Sequence, residues 1–157
     1  MNCSELRVEI KGYEELTKEE LHDLLGLRSR VFVVEQKITE EPEVDGRDPL
    51  AHHLLAWRGE ELVGTLRLLL DREPIKLGRV AVDESARRIG VGTRMMEAAA
   101  EFIGARAAKL HAQAHLEDWY RGLGWHRVGD NFDIVGIDHV RMDWPPRREG
   151  PGRSVLS

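Results

Sequence analysis

Val80-Ala81-Val82-Asp83-Glu84-Ser85-Ala86-Arg87-Arg88-Ile89-Gly90-Val91-Gly92-Thr93 decides how this chain is read. A short β-branched run passes through a polar hinge into an Arg-x-x-Gly-x-Gly loop, and a long apolar-striped segment follows. That order predicts a strand, a loop and a helix, with backbone N–H groups at the helix N-terminus facing an anion. Gly90 and Gly92 let such an anion approach the main chain without a Cβ in the way. Arg87 and Arg88 bring positive charge to the same place. The stretch is expected to cradle a diphosphate.

Two common nucleotide loops share the Gly-x-Gly element, and neither fits. A dinucleotide fold needs a third small residue three positions after the second glycine, in a loop after the first strand. Met95 occupies that position, and the loop follows the fourth predicted strand. A P-loop needs Gly-Lys-Ser/Thr, a tripeptide this chain lacks.

The bulk numbers frame the loop. At 157 residues the chain is long enough for one domain with its own core. A formal charge of −5 argues against general nucleic-acid binding, which needs a basic face. The single cysteine, Cys3, rules out an internal disulfide framework and leads to the expectation of a reducing compartment. The first 25 residues are charged throughout, unlike a signal peptide, and no apolar run is long enough to span a membrane. A cytoplasmic protein is expected.

Periodicity places the remaining elements. Strands are expected at 6–10, 53–58, 62–70, 77–82, 109–114, 125–128 and 139–144. Thr17-Lys18-Glu19-Glu20 is a capping box opening a helix with Leu21, Leu24, Leu25 and Val31 on one stripe. The β-branched residues of Val31-Phe32-Val33-Val34 weaken that helix toward Gln36. Residues 39–49 form an acidic, proline-punctuated loop, too polar for core. Helices are expected at 89–107, striped by Met95, Met96, Ala99, Phe102 and Ile103, and at 116–123, ending before Gly124. One domain over residues 5–145 is expected, with 146–157 a flexible tail.

Three stretches together resemble one family. The Arg87–Gly92 loop fits Gln/Arg-x-x-Gly-x-Gly/Ala, the acetyl-CoA loop of the GCN5-related N-acetyltransferase (GNAT) superfamily. Ala114-His115-Leu116-Glu117-Asp118-Trp119-Tyr120-Arg121-Gly122-Leu123-Gly124-Trp125 is similar to that superfamily's later motif, a helical tyrosine before Leu/Phe-Gly-Phe, with Trp125 replacing phenylalanine. Leu27 to Gln36, Val44-Asp45-Gly46-Arg47-Asp48, His52-His53 and Ala112 to His115 resemble its ElaA-type branch. The resemblance implies an α+β fold, a mixed and mostly antiparallel twisted sheet flanked by about four helices. It implies an N-acetyltransferase that passes an acetyl group from acetyl-CoA to a small-molecule or protein amine, with a homodimer as one possible assembly.

The resemblance also assigns roles. Val80, Ala81 and Val82 would pair with the pantetheine arm, and an N–H of Val82 or a neighbour would face the thioester carbonyl. Arg87, Arg88, Ile89, Gly90, Val91, Gly92 and Thr93 would hold the diphosphate, with His115 a cofactor-side contact or a helix cap. Tyr120 is the candidate general acid, returning a proton to the coenzyme A thiolate. Glu35 is the candidate base or amine anchor, or else an ion-pair partner of Arg28 or Arg30. His53 has a pKa suited to proton transfer, although a lone strand histidine is more often structural. Asp45 and Asp48 are read as simply solvated, with an acidic rim that recruits an amine as the alternative. Arg67, Arg79 and Arg141 are read as structural arginines, with one of them binding a substrate carboxylate as the alternative.

No metal site is expected. Seven histidines accompany one cysteine, and no His-Glu-x-x-His occurs. Two other functions share these motifs: a non-catalytic acyl-CoA sensor, and an acyltransferase using a longer acyl donor.

Overall fold

The computed structural model describes residues 5–145; the expected tail and Cys3 lie outside them. Seven strands form one sheet: β1 (Leu6–Gly12), β2 (Ala51–Arg58), β3 (Glu61–Leu69), β4 (Ile75–Val82), β5 (Ala108–Gln113), β6 (His126–Ile134) and β7 (Ile137–Trp144). Their order is β1-β2-β3-β4-β5-β7-β6, and only β4 and β5 run parallel. The mixed, mostly antiparallel sheet is the expected one. Three α-helices occur among the described residues, against the expected four or so: α1 (Lys18–Arg28), α2 (Val91–Ile103) and α3 (Glu117–Gly122).

The end of the first expected helix changes its winding. Thr17 and Glu20 close the capping box at 3.0 and 2.9 Å, and α1 runs to Arg28. The β-branched stretch then widens into a π-helical segment, Ser29–Glu35, a geometry common at functional sites.

The helices cover opposite faces of the sheet. Leu24 and Leu27 of α1 pack with Leu55, Trp57, Leu62 and Ala81. Met95, Met96, Ala99 and Ile103 of α2 pack with Leu54, Leu66, Leu68 and Leu110. Each fully buried Met, Leu or Ile contributes about 2 kcal/mol of transfer free energy. Met95 lies where a Cβ on Gly64 would come within 2.4 Å of its sulfur. The small residue that brings helix and sheet together is therefore on the strand, and the helix supplies the methionine.

β6 is longer than the expected 125–128. Its residues are mostly exposed, and it closes the sheet as an edge strand paired only with β7. An edge strand needs little apolar surface, so Gly129-Asp130-Asn131 hides the pattern. The β6–β7 turn uses Val135 at φ 45° and Gly136 at φ 81°; a β-branched residue in that conformation is uncommon.

Candidate active site

The site begins with a register defect. Thr65 pairs with Ala81, but Arg67 pairs with Gly78, so β4 carries one extra residue at Arg79–Val80. Such a bulge bends its strand. Parallel pairing of β4 with β5 ends at Lys76↔Lys109, and beyond it the two strands separate. Asp83 N–H bonds the Val63 carbonyl of β3 at 2.8 Å. By strand alternation, Val82 and Val80 then turn their backbone groups toward the gap.

At the end of β4, Asp83 caps a 3₁₀ turn, Glu84–Ala86, by accepting from Ser85 N–H at 3.1 Å. The chain enters α2 through Gly90 at φ 84°, a left-handed conformation that favours glycine. Helix geometry leaves the N–H groups of Gly90 to Thr93 without an intrahelical acceptor. Gly92 also has a packing role: a Cβ there would lie 3.3 Å from the Trp119 ring. Its bare Cα lets α3 close against the loop.

Trp119 and Tyr120 meet edge to face at 4.8 Å. Below them α3 ends in a Schellman motif: Gly124 N–H donates to Arg121 O at 3.1 Å and Trp125 N–H to Tyr120 O at 3.2 Å. Gly124 takes φ 104°, and Trp125 is buried in the core. The Leu-Gly-Trp sequence thus anchors the turn carrying Tyr120. Tyr120 is itself buried, its hydroxyl has no hydrogen-bond partner among the described residues, and burial pushes its pKa up to about 12.

A cavity of about 600 Å³ opens on the α1 side of the sheet. Its floor includes Arg67, Leu69, Lys76, Gly78, His111 and His139. Phe32, Gln36 and Ile38 form one wall, and Val80, Gln113 and Tyr120 stand where it meets the gap. Gln113 bridges to Gln36 at 3.2 Å. None of Arg87 to Thr93 lines this cavity.

The acidic loop is not the simply solvated segment expected. Asp48 is buried and accepts from Arg28 and Arg67, each at 2.9 Å. Asp45 accepts from Arg67 at 2.6 Å and from Arg79 at 3.3 Å, and Glu43 accepts from Arg28 at 2.6 Å and from Arg79 at 3.1 Å. Three arginines thus neutralise three carboxylates and fasten the loop to α1, β3 and the bulge. Burial alone would raise the Asp48 carboxyl, but its hydrogen bonds and charge pairing with Arg28 and Arg67 hold it below the ordinary value. Sequence reasoning missed this because the partners lie 15 to 36 residues away. The arginines interrupting apolar strands were the available signal.

His53 is fully buried, donates from Nε2 to the Asp48 carbonyl at 3.1 Å, and is held neutral by burial. It does not line the cavity, which supports the structural alternative. His115 is exposed in the turn Ala114–Leu116, also outside the cavity lining. Glu35 pairs with neither Arg28 nor Arg30 but accepts from Arg87 at 2.5 Å, while Arg87 Nε donates to Val82 O at 2.9 Å. Arg88 is exposed. Among the described residues, no group of three or more His, Cys, Asp or Glu is placed to hold a metal ion. No helix among them is long and apolar enough to cross a membrane.

A sheet splayed beside a bulge, with a glycine-led helix N-terminus at its mouth, is the framework of an acyl-CoA N-acyltransferase. The chain belongs to the GNAT acetyltransferase family, matching the family described as Acetyltransferase (GNAT) domain over residues 13–145. It is 36% identical over 139 residues to Protein ElaA of Escherichia coli K12, covering 83% of this chain and 90% of the relative. Over 136 residues it is 38% identical to a UPF0039 protein of Mycobacterium tuberculosis H37Rv, covering 82% and 86%. The crystal structure of Escherichia coli ElaA superimposes with a TM-score of 0.82 at 34% identity, covering 87% of this chain and 98% of that one. An acyl-CoA N-acyltransferase from Pseudomonas aeruginosa gives 0.81 at 37%, covering 88% and 98%. The protein is an acyl-CoA-dependent N-acetyltransferase.

Proposed function

We propose that the chain transfers the acetyl group of acetyl-CoA to a primary amine of a small molecule or peptide by direct attack in a ternary complex. One observation carries the reading: the gap between β4 and β5 meets the cavity at Tyr120. Acetyl-CoA fits the gap, with its diphosphate on the N–H groups of Gly90 to Thr93 and its pantetheine arm along Val80 to Val82. The amine arrives from the cavity. Its lone pair forms the C–N bond, the C–S bond breaks, nitrogen loses one proton, and sulfur gains one.

Val80 or Val82 N–H supplies the hydrogen bond to the carbonyl oxygen as it takes up charge. Tyr120 donates to the departing sulfur. Full proton transfer from a phenol of pKa about 12 to a thiolate of about 8.5 spans about 3.5 pKa units, uphill by about 5 kcal/mol. Tyr120 therefore stabilises the thiolate by hydrogen bonding until a proton follows. Glu35 enters as the positioning residue that holds Arg87. A thiol-release assay with acetyl-, hexanoyl- and succinyl-CoA over a panel of amines tests the reading, beside calorimetric titration of CoA. Release from acetyl-CoA is expected. Failure to bind CoA overturns the reading, and CoA binding without release from any donor favours a sensor.

A further inference from the structure

The cavity floor holds a charge without a counter-charge. Lys76 is partly buried there, and its ammonium has no hydrogen bond or ion pair among the described residues. Its cross-strand neighbour on β5 is Lys109, also without an acidic partner, since Asp143 opposite it pairs with Arg141 at 2.7 Å. Like charges opposite each other in a sheet are destabilising. The other charges acting on Lys76 are Arg72, Arg67 and Arg47. Arg67 is neutralised by Asp45 and Asp48, and Arg72 reaches the exposed Asp71 at 3.2 Å. Arg47 is exposed at the rim and lines the same cavity. His111 adds nothing to this charge at neutral pH, because burial and then Lys76 and Lys109 push its pKa down to about 4.

A chain of net charge −5 thus leaves a cation without an ion-pair partner on the floor of its acceptor cavity, whose lining also carries the exposed carboxylate of Glu41. The coenzyme diphosphate does not account for it. Lys76 lies six residues before Val82, about 20 Å along the strand from the loop after β4. We propose that the amine acceptor carries an anionic group, a carboxylate or a phosphate, which docks on Lys76 with Arg72 and Arg47 at the rim. This rests on the acetyltransferase reading of the same cavity. It makes the acceptor zwitterionic, with its anion on the floor and its amine toward the gap. Burial and the neighbouring cations press the Lys76 ammonium below its ordinary pKa, and a bound anion would reverse that pressure.

The experiment has two arms on the full chain. Thiol release from acetyl-CoA is compared within two matched pairs, β-alanine against β-alaninamide and phosphoethanolamine against ethanolamine, which separates carboxylate from phosphate. At least one anionic member is expected to exceed its partner in kcat/KM by about tenfold or more. In Lys76→Met that ratio collapses toward one through a raised KM of the anionic member. Calorimetry then follows inorganic phosphate and β-alanine binding to the CoA-saturated protein. About tenfold weaker binding to Lys76→Met and Lys76→Gln is expected, with thermal melting confirming that both variants fold. Ratios near one in both pairs, a ratio that survives both Lys76 variants, or no anion binding by the wild-type chain overturns the proposal. Anion binding without CoA binding sinks the acetyltransferase reading instead.

Discussion

Glu35 and Arg87, fifty-two positions apart in sequence, meet at 2.5 Å, and the same guanidinium holds the Val82 carbonyl. The pair ties the π-helical segment to the last residue of β4, where the Arg87–Gly92 loop departs. Because it is exposed, Glu35→Gln is expected to change stability by less than about 1 kcal/mol. Its effect falls on the loop: the Kd for CoA rises about threefold to tenfold, read by calorimetry. A wild-type Kd in that variant would remove Glu35 from the positioning role.

Tyr120→Phe is expected to lower kcat about a hundredfold or more while CoA affinity stays within about twofold. Paired steady-state kinetics and calorimetry read both. Because the phenol stays protonated until about pH 12, this residue places no alkaline limb on the rate profile below about pH 11. An alkaline limb abolished by Tyr120→Phe would show the phenol ionising earlier.

The two loop glycines should fail differently. Gly90→Ala forces a Cβ into the left-handed region and is expected to cost about 1–2 kcal/mol in chemical denaturation. Gly92→Ala presses on Trp119 at 3.3 Å and displaces α3. It is therefore expected to lower kcat through Tyr120 as well as weakening CoA binding. Equal losses in both variants would contradict the separate roles.

Breaking the neutral charge network is expected to destabilise strongly. Arg28→Met leaves the buried Asp48 with one of its three arginine hydrogen bonds, an effect of about 3–5 kcal/mol in urea unfolding. Arg141→Met removes a partly exposed pair with Asp143 and is expected to cost less than about 1 kcal/mol.

Acid sensitivity follows from the half-buried His111 and the buried His53. The folded-state pKa of His111 is depressed to about 4 from an ordinary 6.5, so between those values the unfolded chain binds the extra proton. Stability therefore falls as pH drops from about 6.5 to about 4, with buried His53, also depressed, adding in the same direction. Melting curves of His111→Asn across that range should show a shallower slope than wild type. An unaltered slope would place the titration elsewhere.

Much of the fold was legible because its signals were local. The Thr17–Glu20 box, the α2 stripe and the Gly124 cap each announce themselves within a few residues. The Arg87–Gly92 loop likewise sits where its spacing predicts. What was illegible depends on distant partners or on residues used against their preference. Asp48 reads as solvated until Arg28 and Arg67 fold over it. Val135 offers no turn signal, because a β-branched residue disfavours φ 45°. Lys76 is an ordinary strand lysine until the register sets it beside Lys109 without a carboxylate.

The extra residue at Arg79–Val80 bends β4 away from β5, and Arg79, at φ 53°, fastens the acidic loop through Glu43 and Asp45. One backbone irregularity thereby shapes the proposed seat of the donor and braces the wall of the cavity proposed for the acceptor. Deleting it would not trade one specificity for another; it would disturb both substrates together. New acceptor preferences on this scaffold are accordingly open to change at Phe32, Ile38 or Lys76, side chains that can vary while the strand path is preserved.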